Sequence, residues 1–212
     1  MATVGGAGVA AGSLRERKKR STRDALRRSA VDLVADRGFH AVTVEDIAAA
    51  ADVSARTFFN YFSSKEDAIT GWDPSAVAEV CDRLVARPSA ESPPRALREV
   101  LVEFLCRFDA DRRDFLKRLA LLRTDPRLMA HHAARWADTE RELVTALARR
   151  RGTDVAHDHY AAVVVATTLA AGRVALMSWC EQEGRVPVAE LLPYYLDILA
   201  TGLVEPANSG AV

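Results

Sequence analysis

The sequence predicts an all-α protein in which an N-terminal three-helix domain of helix-turn-helix form precedes a larger helical domain. Three observations lead there. Two helix starts, Thr43 and Ser54, lie about three turns apart with a tight corner between them. No segment sustains a period-two alternation punctuated by turn residues, so no sheet is expected. The chain then closes on two helical patterns that are apolar nearly all round. Within 212 residues, 49% hydrophobic and 27% charged, the composition is that of an ordinary globular chain. Basic and acidic residues balance at 29 each, so net charge carries no information about nucleic acid.

Charge distribution does carry it. Arg15, Arg17, Lys18, Lys19, Arg20, Arg23, Arg27 and Arg28 face only Glu16 and Asp24 in the same stretch. In isolation this is a solvated charge run; directly before a reading head it is expected to be an arm that touches phosphate or the minor groove. Met1 to Gly12 is small and glycine-rich, without a basic start or leucine-rich core, so no signal peptide is expected there. Residues 1–20 are expected to form a disordered basic arm.

The first helix is expected from Ser21 or Thr22 to Arg37, burying Leu26, Ala30, Leu33 and Val34 and stopping at Gly38. Phe39, Val42 and Val44 close a small core. Thr43 caps the second helix, with Asp46 three residues on to complete a capping box, and Ile47, Ala48 and Ala51 form its apolar stripe. Asp52 stands where the chain turns, since Asp tolerates a left-handed backbone. Val53 plugs the corner and Ser54 caps a third helix. Phe58 and Phe62, four residues apart, face inward, which leaves Ser54, Arg56, Thr57, Phe59, Asn60 and Tyr61 outward. A helix exposing a guanidinium, an amide, hydroxyls and aromatics fits the major groove, where Arg pairs with guanine and Asn with adenine.

From Ile47 the chain reads Ile47-Ala48-Ala49-Ala50-Ala51-Asp52-Val53-Ser54-Ala55-Arg56-Thr57-Phe58-Phe59-Asn60-Tyr61-Phe62-Ser63-Ser64-Lys65-Glu66. This resembles the signature of the TetR-type bacterial regulators over about Arg23 to Ile69. Asp52 stands in place of a turn glycine, and Phe59 in place of a tyrosine whose hydroxyl is therefore absent. The resemblance implies DNA contacts from Thr43, Ser54, Ala55, Arg56, Thr57, Phe59, Asn60, Tyr61 and Lys65. It further implies a homodimer on a palindromic double-stranded operator, released by a small-molecule effector, and thus a repressor in the cytoplasm.

Residues 21–69 therefore make the DNA-binding domain and 70–204 the effector-binding and dimerisation domain, with 205–212 a disordered tail. After a break or kink at Gly71-Trp72-Asp73-Pro74, helices are expected to Arg87, from Arg95 to Phe108 and from Asp111 to Arg123. Asp125-Pro126 opens a long helix to Arg151, and Asp158 to Glu183 and Val188 to Leu203 follow. The last two are expected to build the dimer interface through Val164, Leu169, Gly172, Leu176, Leu192, Tyr195, Leu196 and Leu199, unless they only fill the subunit core.

Phe104, Phe108, Phe115, Leu119, Leu122, Trp136 and Trp179 either fill the core or line an effector cavity. Arg173, set in an apolar helix, needs an anion if buried. That anion is an acid such as Glu140 or Asp138, or the effector itself, and a faint likeness to actinobacterial binders of acyl-CoA-like ligands favours an apolar, anionic one. Cys81, Cys106 and Cys180 are odd in number and widely spaced, which favours buried thiols over a redox or metal site. Neither His131-His132 nor His157 with His159 has helical chelate spacing, so no metal and no cofactor is expected. The longest apolar stretch, Tyr160 to Cys180, is interrupted by Arg173, so no membrane span is expected. An enzyme is the rival class, but Gly5-Gly6-Ala7-Gly8 follows no strand and no nucleophile elbow occurs. An activator, or an architectural DNA binder without effector, stays open; a ligand-dependent operator affinity separates the latter from a regulator.

Overall fold

The computed structural model describes residues 7–110 and 112–203, and these form helices with no strand. In chain order the helices are α1 (Ala7–Arg37), α2 (Val44–Ala50), α3 (Ala55–Phe59), α4 (Lys65–Thr70), α5 (Pro74–Ala86), α6 (Pro93–Ala110), α7 (Arg112–Thr124), α8 (Pro126–Arg151), α9 (His159–Glu181) and α10 (Val188–Ala200). They divide into two units, one of residues 1–72 and 120–132, the other of 73–119 and 133–212. The expected tail, 205–212, lies outside the described residues.

In the first unit α1 begins at Ala7, so most of the arm expected to be disordered is helical. The reason is local, because Leu14 to Arg20 is a run of good helix formers and lets the helix propagate backwards. The face of α1 turned inward carries Leu26, Ala30, Val31 and Val34, while Leu33 is only half-buried. Gly38, at φ 83°, ends the helix, and one 3-10 turn over Phe39–Ala41 tucks Phe39 into the core with Val42, Ile47, Ala48, Phe58 and Phe62. The end of α7 and the first turns of α8 join this unit with Leu122 and Leu128 buried, an attachment that no local pattern announced. Asp125 caps α8 as its side chain accepts from the Arg127 amide at 2.8 Å.

The break after α4 is complete. Gly71 adopts a left-handed φ of 67°, Asp73 accepts the Ser75 amide at 3.0 Å, and Pro74 starts α5 where a missing N–H costs nothing. The break expected at Gly71-Trp72-Asp73-Pro74 thus separates α4 from α5.

The second unit is built on α9, which packs against α10 and α6, while α5 packs on α6. Leu84, Leu97, Leu143, Leu147, Val165, Trp179 and Leu192 are fully buried at its centre. Asp158 caps α9 through the Ala161 amide at 2.9 Å and holds Arg151 at 2.9 Å. Its carboxyl sits below the usual carboxylate range, mainly through the Thr153 hydroxyl and then the Ala161 amide.

Candidate nucleic-acid interface

The reading head starts from two caps. The Thr43 amide donates to the Asp46 carboxylate at 2.9 Å and the Asp46 amide to the Thr43 hydroxyl at 3.1 Å, the reciprocal box that the spacing predicts. The Thr43 hydroxyl bond, then its backbone bond, holds the Asp46 carboxyl below its ordinary range. At the corner Asp52 takes φ 54° and the Val53 amide reaches back to the Ala48 carbonyl at 3.0 Å, so an aspartate fills the turn where the family pattern has glycine. Ser54 then accepts the Thr57 amide at 3.1 Å and opens α3.

Burial sorts the α3 side chains. Phe58 is fully buried and Phe62 nearly so, their ring centroids 5.7 Å apart, while Phe59 meets Phe58 edge-on at 5.5 Å and remains 56% exposed. Ser54, Arg56 and Asn60 are exposed, and Ala55, Thr57 and Tyr61 half-exposed. One face of α3 thus offers a guanidinium, an amide, hydroxyls and an aromatic ring, with donors and acceptors suited to base edges.

Two cations stand where the sequence reading did not put them. The Lys65 ammonium donates to the carbonyls of Phe39 at 2.8 Å and Val42 at 2.9 Å and lies 4.1 Å from the Phe39 ring centre. It ties α4 to the corner before α2, a structural role in addition to the phosphate contact expected of it. Arg23, counted in the basic arm, donates to the carbonyls of Tyr61 at 2.7 Å and Trp72 at 2.8 Å. Asp67 escaped the sequence reading altogether. Buried in α4, it accepts from the Ser63 hydroxyl and pairs at 2.7 Å with His131 of α8. An acid followed directly by the apolar pair Ala68-Ile69 is the only trace of it in the sequence.

The candidate ligand and dimer residues disperse. Phe115 and Trp179 are buried and pack edge to face, centroids 5.5 Å apart, and the Trp179 indole N–H has no hydrogen-bond partner among the described residues. Phe104, Leu119 and Trp136 lie half-buried against that core, Leu122 belongs to the other unit, and the Phe108 side chain lies outside those described. Arg173 is exposed and pairs with neither Glu140 nor Asp138; Asp138 instead holds Arg141 and Arg135. The condition of burial is not met in the single subunit, because α9 buries one face and Arg173 lies on the other.

For the same reason Val164, Leu169, Gly172, Leu192 and Leu196 are buried within the single subunit, while Leu176, Tyr195 and Leu199 are half-buried there. The outward residues of α9 include the row Tyr160, Val163, Thr167, Ala170, Val174 and Met177, with Ala166 and Arg173 exposed beside it. Their alternating three- and four-residue spacing was the missed signal. Two open hollows, of about 390 and 350 Å³, flank Arg141 on α8. Cys81 lines the second, its thiol pushed up to about 11 chiefly by burial and then by Glu142 and Asp82, whereas Cys106 is exposed rather than buried.

Residues 26–68 match the model of bacterial regulatory proteins of the tetR family, and residues 91–204 match the MftR C-terminal domain. The chain belongs to the TetR family of bacterial transcriptional regulators. It is therefore a DNA-binding regulator of transcription.

The HTH-type transcriptional regulator TcmR of Streptomyces glaucescens is 34% identical over 176 residues, taking in 78% of this chain and 76% of its own. MftR of Mycobacterium tuberculosis, named for the regulation of mycofactocin biosynthesis, is 28% identical over 187 residues, 88% of this chain and 93% of its own. Among solved structures, FadR of Thermus thermophilus in complex with lauroyl-CoA superposes with a TM-score of 0.50 at 23% identity, covering 90% of this chain and 99% of that one, which speaks for a shared fold.

Within this TetR-family chain, Arg56→Ala and Asn60→Ala should each weaken operator binding by about 1–3 kcal/mol and relax preference at one base position. A binding titration over single-base operator variants checks this. An unchanged preference in both would remove α3 from the reading role.

Proposed function

We infer that this regulator is a repressor that grips a palindromic operator as a homodimer and lets go when a small molecule enters the second unit. One observation carries the reading: α3 buries Phe58 and Phe62 but leaves Arg56, Phe59 and Asn60 exposed, a face of hydrogen-bonding and aromatic groups set on a capped, rigid corner. Such a face matches base edges in the major groove.

The dimer is supported by α9. Val163 and Met177, 60% and 55% exposed, head a seam with Tyr160, Thr167, Ala170 and Val174 at the spacing of a helix-pairing stripe, and Tyr194 of α10 is exposed as well. A second copy of the same seam covers it with two-fold symmetry. By length and composition alone α9 is also apolar enough to cross a membrane, but its inner face packs on α10 and α6, and we read it as a core and dimer helix in a cytoplasmic protein.

Effector binding is supported by the Trp179 indole N–H, buried beside Phe115 without a partner among the described residues. An unsatisfied buried donor costs about 1–3 kcal/mol, and a ligand carbonyl would remove that penalty. The class we favour is acyl-CoA-like or otherwise apolar and anionic, in keeping with the lauroyl-CoA held by a protein of the same fold. Transmission to the head is supported by α8, one unbroken helix whose first turns are tied to α4 by the His131–Asp67 pair. A coupling of about 1–3 kcal/mol, roughly 5- to 150-fold in operator affinity, suffices for a switch.

The test is binding to the DNA upstream of the protein's own coding sequence, at fixed salt, with and without a panel of acyl-CoAs and other small anions. Specific binding released by one member is the expected result. Specific binding that no member alters would leave an architectural binder or a regulator of another effector class, and turnover of a bound compound would bring back the enzyme.

A further inference from the structure

The stripe of α1 that packs on the reading head continues beyond the head. Running back towards the N-terminus its inward members are Val34, Ala30 and Leu26, then Arg23, whose guanidinium is clasped by the Tyr61 and Trp72 carbonyls and stacks 4.4 Å from the Phe62 ring centre. Arg20 and Lys19 precede Arg23 by three and four residues, which places them on the same face, roughly 5.4 Å further along the axis. Both are exposed. By helical spacing they lie one turn beyond Arg23, whose guanidinium holds the Tyr61 carbonyl after α3. Arg17 and Lys18, also exposed, project from the other side of α1 by helical spacing. By position Glu16 is the acid of the Lys19 and Arg20 face, and Asp24 is held by Arg27 at 3.5 Å.

We propose that Lys19 and Arg20 form a second DNA contact, a phosphate-binding pair on the duplex backbone flanking the half-site read by α3. This rests on α3 being the element that enters the groove. The chemistry is charge complementarity: two cations on a helix held in place by the Arg23 clasp meet phosphodiesters with little side-chain ordering left to do at the moment of binding, and each neutralised phosphate releases counterions. The pair adds affinity and register without reading sequence. An arm of flexible chain would scatter its charges; a helical one aims two of them at one flank and leaves Arg17 and Lys18 turned away.

The experiment titrates the full chain with a duplex of about 40 base pairs of arbitrary sequence, between about 50 and 200 mM salt, comparing the parent with K19A/R20A and R17A/K18A. In K19A/R20A the slope of log affinity against log salt should shrink by about 0.9 for each phosphate left without its cation, so by about 1.8 for each subunit seated on the duplex. R17A/K18A, which removes the same charge from the other side, should shift it by less than half as much. Equal slopes for K19A/R20A and the parent overturn the proposal. So do equal shifts in the two variants, which would mean a diffuse cationic cloud, and so does a parent without salt-dependent binding. Because any duplex serves, failure of the operator and effector test leaves this result readable, and failure here leaves that one readable.

Discussion

A chain carrying both Val163→Glu and Met177→Glu is expected to fold as the parent does, to sediment as a monomer, and to lose about 100- to 10,000-fold in operator affinity. Both side chains are more than half exposed in the single subunit, so two carboxylates there stay hydrated and disturb no packing. Across a two-fold seam the same carboxylates face their own copies in an apolar setting, where an unpaired charge is strongly penalised. The loss in affinity follows from geometry alone. Two heads joined at a fixed spacing bind two half-sites as one event, and separating them returns each to its single-site affinity. Sedimentation and an operator titration read the two effects independently. A double variant that stays dimeric, or a monomer that binds the operator as well as the parent, would show that α9 does not join the subunits.

What the sequence disclosed and what it withheld follow the range of the forces involved. Thr43, Asp46 and Ser54 act on amides within four residues, Asp52 sets the turn by its own left-handed backbone, and the Phe58 and Phe62 pair is set by helical spacing, so the corner could be read before any fold was known. The burial of Lys65 against the Phe39 and Val42 carbonyls, the Arg23 clasp and the Asp67–His131 pair join residues 23 to 64 positions apart. No local pattern writes such bonds. In α9 the difficulty was different: when nearly every side chain is apolar, periodicity loses its contrast and the inner face cannot be told from the outer. Val164, Leu169 and Gly172, expected at the dimer seam, are buried in the single subunit, while their neighbours Val163, Thr167 and Ala170 are exposed and Arg173 lies on the outward side as well.

Phe58→Ala should remove about 3–5 kcal/mol from the reading head and abolish DNA binding at physiological temperature while leaving the parent's oligomeric state unchanged. Phe58 is wholly buried, touches Phe59 and Phe62, and belongs to a small core of Leu26, Ala30, Val34, Ile47 and Ile69. Cores of such size supply only about 3–5 kcal/mol in total, so a cavity in place of one phenyl ring is enough to unfold the head. Phe59→Ala, by contrast, deletes a ring that is 56% exposed, and should weaken DNA binding without moving the melting transition. Hydrogen exchange of the α1 to α4 amides, followed beside thermal melting, separates the two outcomes. Slow exchange retained in Phe58→Ala would mean that the end of α7 and the start of α8, with Leu122 and Leu128, hold the head together on their own. Stability would then reside in a corner that the helix-turn-helix pattern does not include.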